Sequence, residues 1–157
     1  MTKKLFSGAS VLLLLMMVSI HTAAQTRVKH FNLEKSTLAI QGYDPVAYFT
    51  DGKAVEGSKA FSVAFDGALY RFKSEQNKQA FKANPAKYEP QYGGWCAYAM
   101  GATGEKVEVD PETFKIIDGK LFLFFNKYFN NTLKTWNKDE NSLHTKADAN
   151  WKKIITQ

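Results

Sequence analysis

Two Asp-Gly pairs limit what this chain can fold into more than any other feature. Asp66-Gly67 separates Phe61, Val63 and Phe65 from Ala68, Tyr70 and Phe72, with other residues alternating between them. Asp118-Gly119 separates Phe114 and Ile116 from Leu121 and Leu123 in the same way. Asp-Gly readily adopts the left-handed angles of a two-residue hairpin turn, and a period of two directs alternate side chains to opposite faces of a strand. Both runs are therefore read as antiparallel hairpins. The first pairs Phe65 with Ala68, Val63 with Tyr70 and Phe61 with Phe72, which puts six side chains on one face to be buried. The second pairs Ile116 with Leu121 and Phe114 with Leu123. Phe122 and Phe124 point the other way, so both of its faces need cover. The C-terminal helix carrying Trp151 is expected to cover the second face.

Between and after the hairpins the pattern turns helical. Ser74 is a plausible N-cap for a helix from Glu75 to about Ala83, which Asn84-Pro85 should end. Gly42-Tyr43-Asp44-Pro45 is a turn signal, and Pro90 and Gly93-Gly94 mark a loop. Trp95 to Met100 fits a short helix stopped by Gly101. In the tail, Phe129, Leu133 and Trp136 stand at helical spacing. After a cap near Ser142, Leu143, Ala147, Trp151 and Ile154 do so again. The expected fold is α+β: a small single domain with two β-hairpins packed against short helices and a C-terminal helical segment.

The start of the chain reads differently. Lys3 and Lys4 precede the uncharged apolar run Val11 to Ile20, and Thr22-Ala23-Ala24 supplies small residues before Gln25. Ten residues reach only ~15 Å as a helix, short of a bilayer core of about 30 Å. Residues 1–24 are read as a cleaved export signal, residues 25–40 as a lead-in, and residues 41–157 as the domain. The expected location is periplasmic or secreted and soluble, with no membrane contact after cleavage.

Charge and cysteine content narrow the function classes. The 157 residues carry 21 Lys+Arg against 15 Asp+Glu, a formal net charge of +6, and the lysines mostly stand singly. No basic block suggests a nucleic-acid arm. The single cysteine, Cys96, cannot form an intramolecular disulfide. In an exported chain it is a metal ligand, a reactive thiol, an intermolecular bridge or a buried apolar residue. Nucleophilic catalysis would need a histidine partner. Beyond the signal only His30 and His144 remain, and none of the usual hydrolase, phosphate-loop, dinucleotide or zinc-helix motifs is present. An enzyme is the less favoured class.

Several segments in order resemble the YHS domain family, which is related to the TRASH metal-binding domains. They are Gly42-Tyr43-Asp44-Pro45-Val46-Ala47-Tyr48-Phe49, Tyr70-Arg71-Phe72-Lys73-Ser74-Glu75 and Phe81-Lys82-Ala83-Asn84-Pro85-Ala86-Lys87-Tyr88. Tyr92-Gly93-Gly94-Trp95-Cys96-Ala97 and Ala147-Asp148-Ala149-Asn150-Trp151 resemble the exported, signal-bearing branch, so the resemblance runs from about Ile40 to Trp151. It implies a small metal-binding domain. In the metal-binding members cysteines follow the Asp-Pro-Val element and recur around the helix start. The matching positions here hold Ala47, Lys73 and Asn77, so that thiolate site does not carry over.

Any metal site would then centre on Cys96 and Met100. At i and i+4 of one helix their sulfurs would share a face, with Cβ atoms about 6 Å apart, and thiolate plus thioether is a soft pair suited to copper as Cu(I). His30 or His144 could complete it. Tyr43, Asp44, Tyr92, Gly93 and Gly94 form a second constellation; if the two Tyr-bearing loops meet, their order in the resembling family implies that Asp44, Tyr43 and Cys96 line one pocket. Asp44 before Pro45 could instead cap a turn. The leading expectation is a domain that binds a soft metal ion, copper favoured, or another small ligand around Cys96. The alternative is a non-catalytic protein-interaction or scaffold module without the family's metal site.

Overall fold

The computed structural model describes residues 28–34 and 37–157. The export-signal reading of residues 1–24 lies outside the described residues. The architecture is α+β, as the patterning predicts. After a 3-10 turn at Ile40–Gly42 come α1 (Ala47–Thr50), β1 (Ser58–Phe65), β2 (Ala68–Phe72), α2 (Glu75–Ala83) and α3 (Pro85–Tyr88). A second 3-10 turn, Gln91–Gly94, leads into α4 (Ala97–Ala102), β3 (Asp110–Ile117) and β4 (Lys120–Phe124). The chain closes with β5 (Asn126–Lys127), β6 (Asn130–Asn131), α5 (Thr132–Trp136) and α6 (Glu140–Ile155). Among the described residues the strands form three separate antiparallel pairs. No helix there is long and apolar enough to cross a membrane.

The two Asp-Gly hairpins form as expected, with left-handed φ of 46° and 87° at Asp66-Gly67 and 50° and 71° at Asp118-Gly119. Phe65 faces Ala68 and Val63 faces Tyr70, while Ile116 faces Leu121 and Phe114 faces Leu123. The third pair of the first hairpin differs, because Phe72 lies opposite Ser58 and a bulge takes up the residues between. Ser58 and Ser62 hold that bulge by bonds to local backbone, Ala60 N to Ser58 Oγ at 3.2 Å and Ser62 Oγ to Lys59 O at 2.8 Å. Phe61, Val63 and Phe65 are thus only half-buried, whereas Ala68, Tyr70 and Phe72 are buried.

The second hairpin is the wall between two cores. Leu121 and Leu123, with Phe114 and Ile116 against them, join Tyr48, Tyr70, Phe72 and Phe81 in the first core. Phe122 and Phe124 turn into the second, against Trp136, Leu143 and Ala147. The second face is covered by the C-terminal helices, with Trp136 of α5 in ring contact with both phenylalanines and Trp151 at the margin.

Three boundaries move from their predicted places. The helix expected over Trp95–Met100 runs over Ala97–Ala102 and includes Gly101. A Cβ at Gly101 would stand 2.4 Å from Leu143 O, so this glycine allows α4 to lie directly on α6 rather than ending its own helix. The last helix starts at Glu140, and Ser142 falls inside it. Phe129 does not belong to a helix at all. It sits with Tyr128 at the tip of the small β5–β6 hairpin. Asn131, whose Oδ1 accepts from Leu133 N at 3.1 Å, starts α5 after it.

Candidate functional site

Asp44 is fully buried, and each of its oxygens accepts two hydrogen bonds. Oδ1 accepts from Val46 N at 2.8 Å and Ala47 N at 3.3 Å, closing the turn across Pro45 that opens α1. Oδ2 accepts from Lys73 N at 2.8 Å and Asn77 Nδ2 at 2.7 Å. The second pair exists because Ser74 caps α2, its Oγ accepting from Asn77 N at 3.2 Å, which sets Asn77 one turn in and buried. One carboxylate thereby ties the opening loop to the junction of β2 and α2. A buried carboxylate needs such partners to offset its lost hydration. Lys73 adds an exposed link to Asp51 at the end of α1, and that hydrogen bond is the first cause holding the Asp51 carboxyl below its usual range.

Cys96 has no exposed surface and belongs to the first core. Its ψ of 116° is not helical, since it caps α4 rather than continuing it. The sulfur accepts from Phe125 N at 3.3 Å and lies 3.4 Å from Thr132 Oγ1. Thr132 directs its own hydroxyl hydrogen to Phe125 O at 2.9 Å, which leaves the thiol as donor to Thr132. Both capacities of the sulfur are used within the protein.

Met100 is equally buried but belongs to the second core, beside Tyr92, Phe122 and Trp136. The helical premise for a shared sulfur face does not hold, because α4 begins one residue after Cys96. Sequence spacing could not reveal this, since it depends on where the cap falls.

Of the second constellation, Tyr43 packs against the first core and Tyr92 lies in the second. Tyr43 donates to Glu112 Oε1 at 3.2 Å on the surface, and its pKa is raised first by burial and then by that contact. Tyr92 donates to Asp148 Oδ1 of α6 at 2.9 Å, and burial followed by that carboxylate pushes its hydroxyl far above the ordinary value. Gly93 and Gly94 seat the lead-in. Gly93 O accepts from Asn32 N at 2.8 Å and Gly94 O from Asn32 Nδ2 at 3.2 Å. A Cβ at Gly93, where φ is +60°, would meet Phe31 at 2.8 Å and Trp151 at 2.9 Å. This close approach is the reason for glycine there.

The histidines lie apart from each other. His144 packs on Phe122 and Trp136 with Nε2 3.8 Å from Asp148. His30 Nδ1 is 3.4 Å from Lys106 Nζ, at an open cleft of about 610 Å³ that Val107 and Ile154 also line. Burial, then Lys106, then Lys29 lower the pKa of His30. Among the described residues, no three His, Cys, Asp or Glu side chains cluster closely enough to hold a metal ion. The donor set does not fit a family-type soft-metal centre. Sequence reasoning missed Thr132, Phe125 and Asp148 as partners, and only the fold brings them in.

Residues 46–92 match the family model of the YHS domain. The matched stretch spans α1 to the second 3-10 turn and ends before Cys96. No curated protein and no solved structure matches the chain.

Proposed function

We propose that this protein is a non-catalytic binding module, built on a YHS-type framework whose cysteine positions hold no thiolate and instead donate to a buried carboxylate. One observation carries the reading. The three positions that correspond to the family's cysteines, Ala47, Lys73 and Asn77, all donate hydrogen bonds to Asp44, two from main-chain amides and one from a side chain. In a metal-binding relative a cation would join the opening element to the helix start. Here the carboxylate makes the same connection with no soft ligand. Cys96 supports the reading from the other side, because a buried thiol committed to Phe125 and Thr132 is poorly placed to act as a ligand or a nucleophile. With its reactive side chains engaged internally, the module meets its partner through its outer surface.

The competing reading, a copper site at Cys96 and Met100, is separated by thermal unfolding with and without excess Cu(I) under anaerobic, reducing conditions. A ligand at 100 times its dissociation constant stabilises the native state by about 2.7 kcal/mol. The expected midpoint is unchanged by copper. A rise that disappears in Cys96→Ser would restore the copper reading.

A further inference from the structure

Among the described residues, every left-handed φ except those of Thr37, Tyr128 and Phe129 has a counterpart 52 residues away. Ile40-Gln41-Gly42 (52°, 53°, 88°) is matched by Tyr92-Gly93-Gly94 (55°, 60°, 86°). Gly52 (65°) is matched by Gly104 (76°), and Asp66-Gly67 by Asp118-Gly119. Left-handed backbone is uncommon outside glycine, so this spacing is a property of the fold and not of turn residues alone. The strands keep the same offset. β3 and β4 begin and end where β1 and β2 do, and each hairpin has its bulge at the corresponding place. So do the parallel bridges Leu38–Leu69 and Pro90–Leu121. Asp44 N donates to Val55 O at 2.8 Å, and Cys96 N to Val107 O at 2.9 Å.

The equivalence reaches the buried polar ties. Lys73 N donates to Asp44 Oδ2 at 2.8 Å, and at the same offset Phe125 N donates to Cys96 Sγ at 3.3 Å. Past these residues the second half is longer by three, within the β5–β6 hairpin. With that allowance Asn77, which donates to Asp44, corresponds to Thr132, which contacts the Cys96 sulfur. Phe81, in ring contact with Tyr70 and Phe72, corresponds to Trp136, in ring contact with Phe122 and Phe124. Glu89, which accepts from the Tyr70 hydroxyl, corresponds to His144, edge-on to Phe122. We infer that the chain is two consecutive copies of one module, and that Cys96 holds in the second the place that Asp44 holds in the first. The second copy starts at Pro90 and so lies almost wholly beyond the stretch that matches the YHS family model.

The copies meet head to tail. Tyr48 of α1 packs on Phe114 of β3, ring centroids 4.7 Å apart, and donates to Pro111 O at 2.9 Å, so the second copy covers the first. Met100, the counterpart of Tyr48, is buried instead with Leu143 and Ala147 of α6. That helix starts where α3 does in the first copy but runs on to Ile155, and it closes the face that a third copy would cover. Terminal capping of this kind is what a short array of repeats requires. The duplication bears on function as well. The second copy's counterparts of Ala47, Lys73 and Asn77 are Ala99, Phe125 and Thr132, so neither copy carries a thiol at the family's cysteine positions. The chain's one cysteine stands at a structural tie. The duplication does not depend on the binding reading, so copper uptake tests that reading and unfolding tests the duplication.

The test transplants the first copy's tie into the second. Cys96→Asp places a carboxylate ahead of α4, whose first turn has no side-chain cap. Thr132→Asn supplies the amide that Asn77 gives to Asp44. Urea unfolding of the full chain is followed for wild type, both single variants and the pair. Thr132→Asn alone should destabilise, since the hydroxyl's bond to Phe125 O is lost. In the Cys96→Asp chain the same change should stabilise, with a coupling of roughly tenfold in the unfolding equilibrium constant. A Cys96→Asp chain that gains nothing from Thr132→Asn would overturn the proposal. Should Cys96→Asp leave no folded chain with either residue at position 132, a second pair decides. Phe122→Tyr adds the hydroxyl that Tyr70 carries, and His144→Glu the acceptor that Glu89 provides. Phe122→Tyr alone should be less stable, because its buried hydroxyl lacks that acceptor, and His144→Glu should restore stability. Losses that simply add would overturn the proposal.

Discussion

Asn77 Nδ2 donates to Asp44 Oδ2 at 2.7 Å across 33 residues of chain, joining the opening loop to the first turn of α2. Replacing Asp44 with Asn keeps the shape and turns one acceptor into a donor that faces N–H groups. Asp44→Asn is expected to lose about 2–4 kcal/mol in urea unfolding, because charged hydrogen bonds are lost and buried donors are left unpaired. Asn77→Ala should lose less, since three of the four bonds to the carboxylate remain.

Cys96 should behave as a buried structural thiol. A thiol reagent is expected to modify it slowly in the native protein and fully in denaturant. Cys96→Ala removes the acceptor of the Phe125 amide and should destabilise by about 1–3 kcal/mol. Fast native-state modification would show that the sulfur is reachable and would remove the basis for its structural role.

Gly101→Ala gives a prediction whose sign opposes helix propensity. Alanine is normally better than glycine inside a helix by about 1 kcal/mol. Here the added methyl would press on the Leu143 backbone, with Leu143 O at 2.4 Å and Leu143 C at 3.0 Å, and backbone cannot rotate away. The variant should be less stable by about 1–3 kcal/mol in denaturant unfolding.

Much of this fold was legible because the signals were local. Asp66-Gly67 and Asp118-Gly119 carry their own turn geometry, and Ser74 caps the helix that its position predicts. The β5–β6 hairpin was not legible. Tyr128-Phe129 is no turn signal, and Phe129 fits a helical spacing with Leu133 and Trp136 that its side chain does not use. The site was only half legible. Asp44 does cap its turn, as Asp before Pro often does, but its bonds to Lys73 and Asn77 depend on tertiary structure. Cys96 and Met100 share a helical spacing yet enter different cores, because one residue of cap position decides the outcome.

Stability should fall in acid through Glu140. The Lys115 hydrogen bond, and then that of the Trp136 indole at 3.0 Å, hold its carboxyl below the ordinary value of 4.5, against an opposing effect of burial. A depressed acid contributes stability in full above its unfolded pKa and loses it as pH falls through the folded one. Wild-type stability should therefore fall below about pH 4.5. In Glu140→Gln that part of the pH dependence should be missing, and an unchanged profile would show that the Lys115 pair contributes nothing.

The proposed function turns on a chain that holds no soft metal at Cys96, its opening loop being joined to the β2–α2 junction by Asp44 instead. Its most direct test is metal content by mass spectrometry, after Cu(I) loading under reducing, anaerobic conditions and desalting. The account predicts no retained copper in wild type and the same result in Cys96→Ser. Stoichiometric copper in wild type, lost in Cys96→Ser, would contradict it.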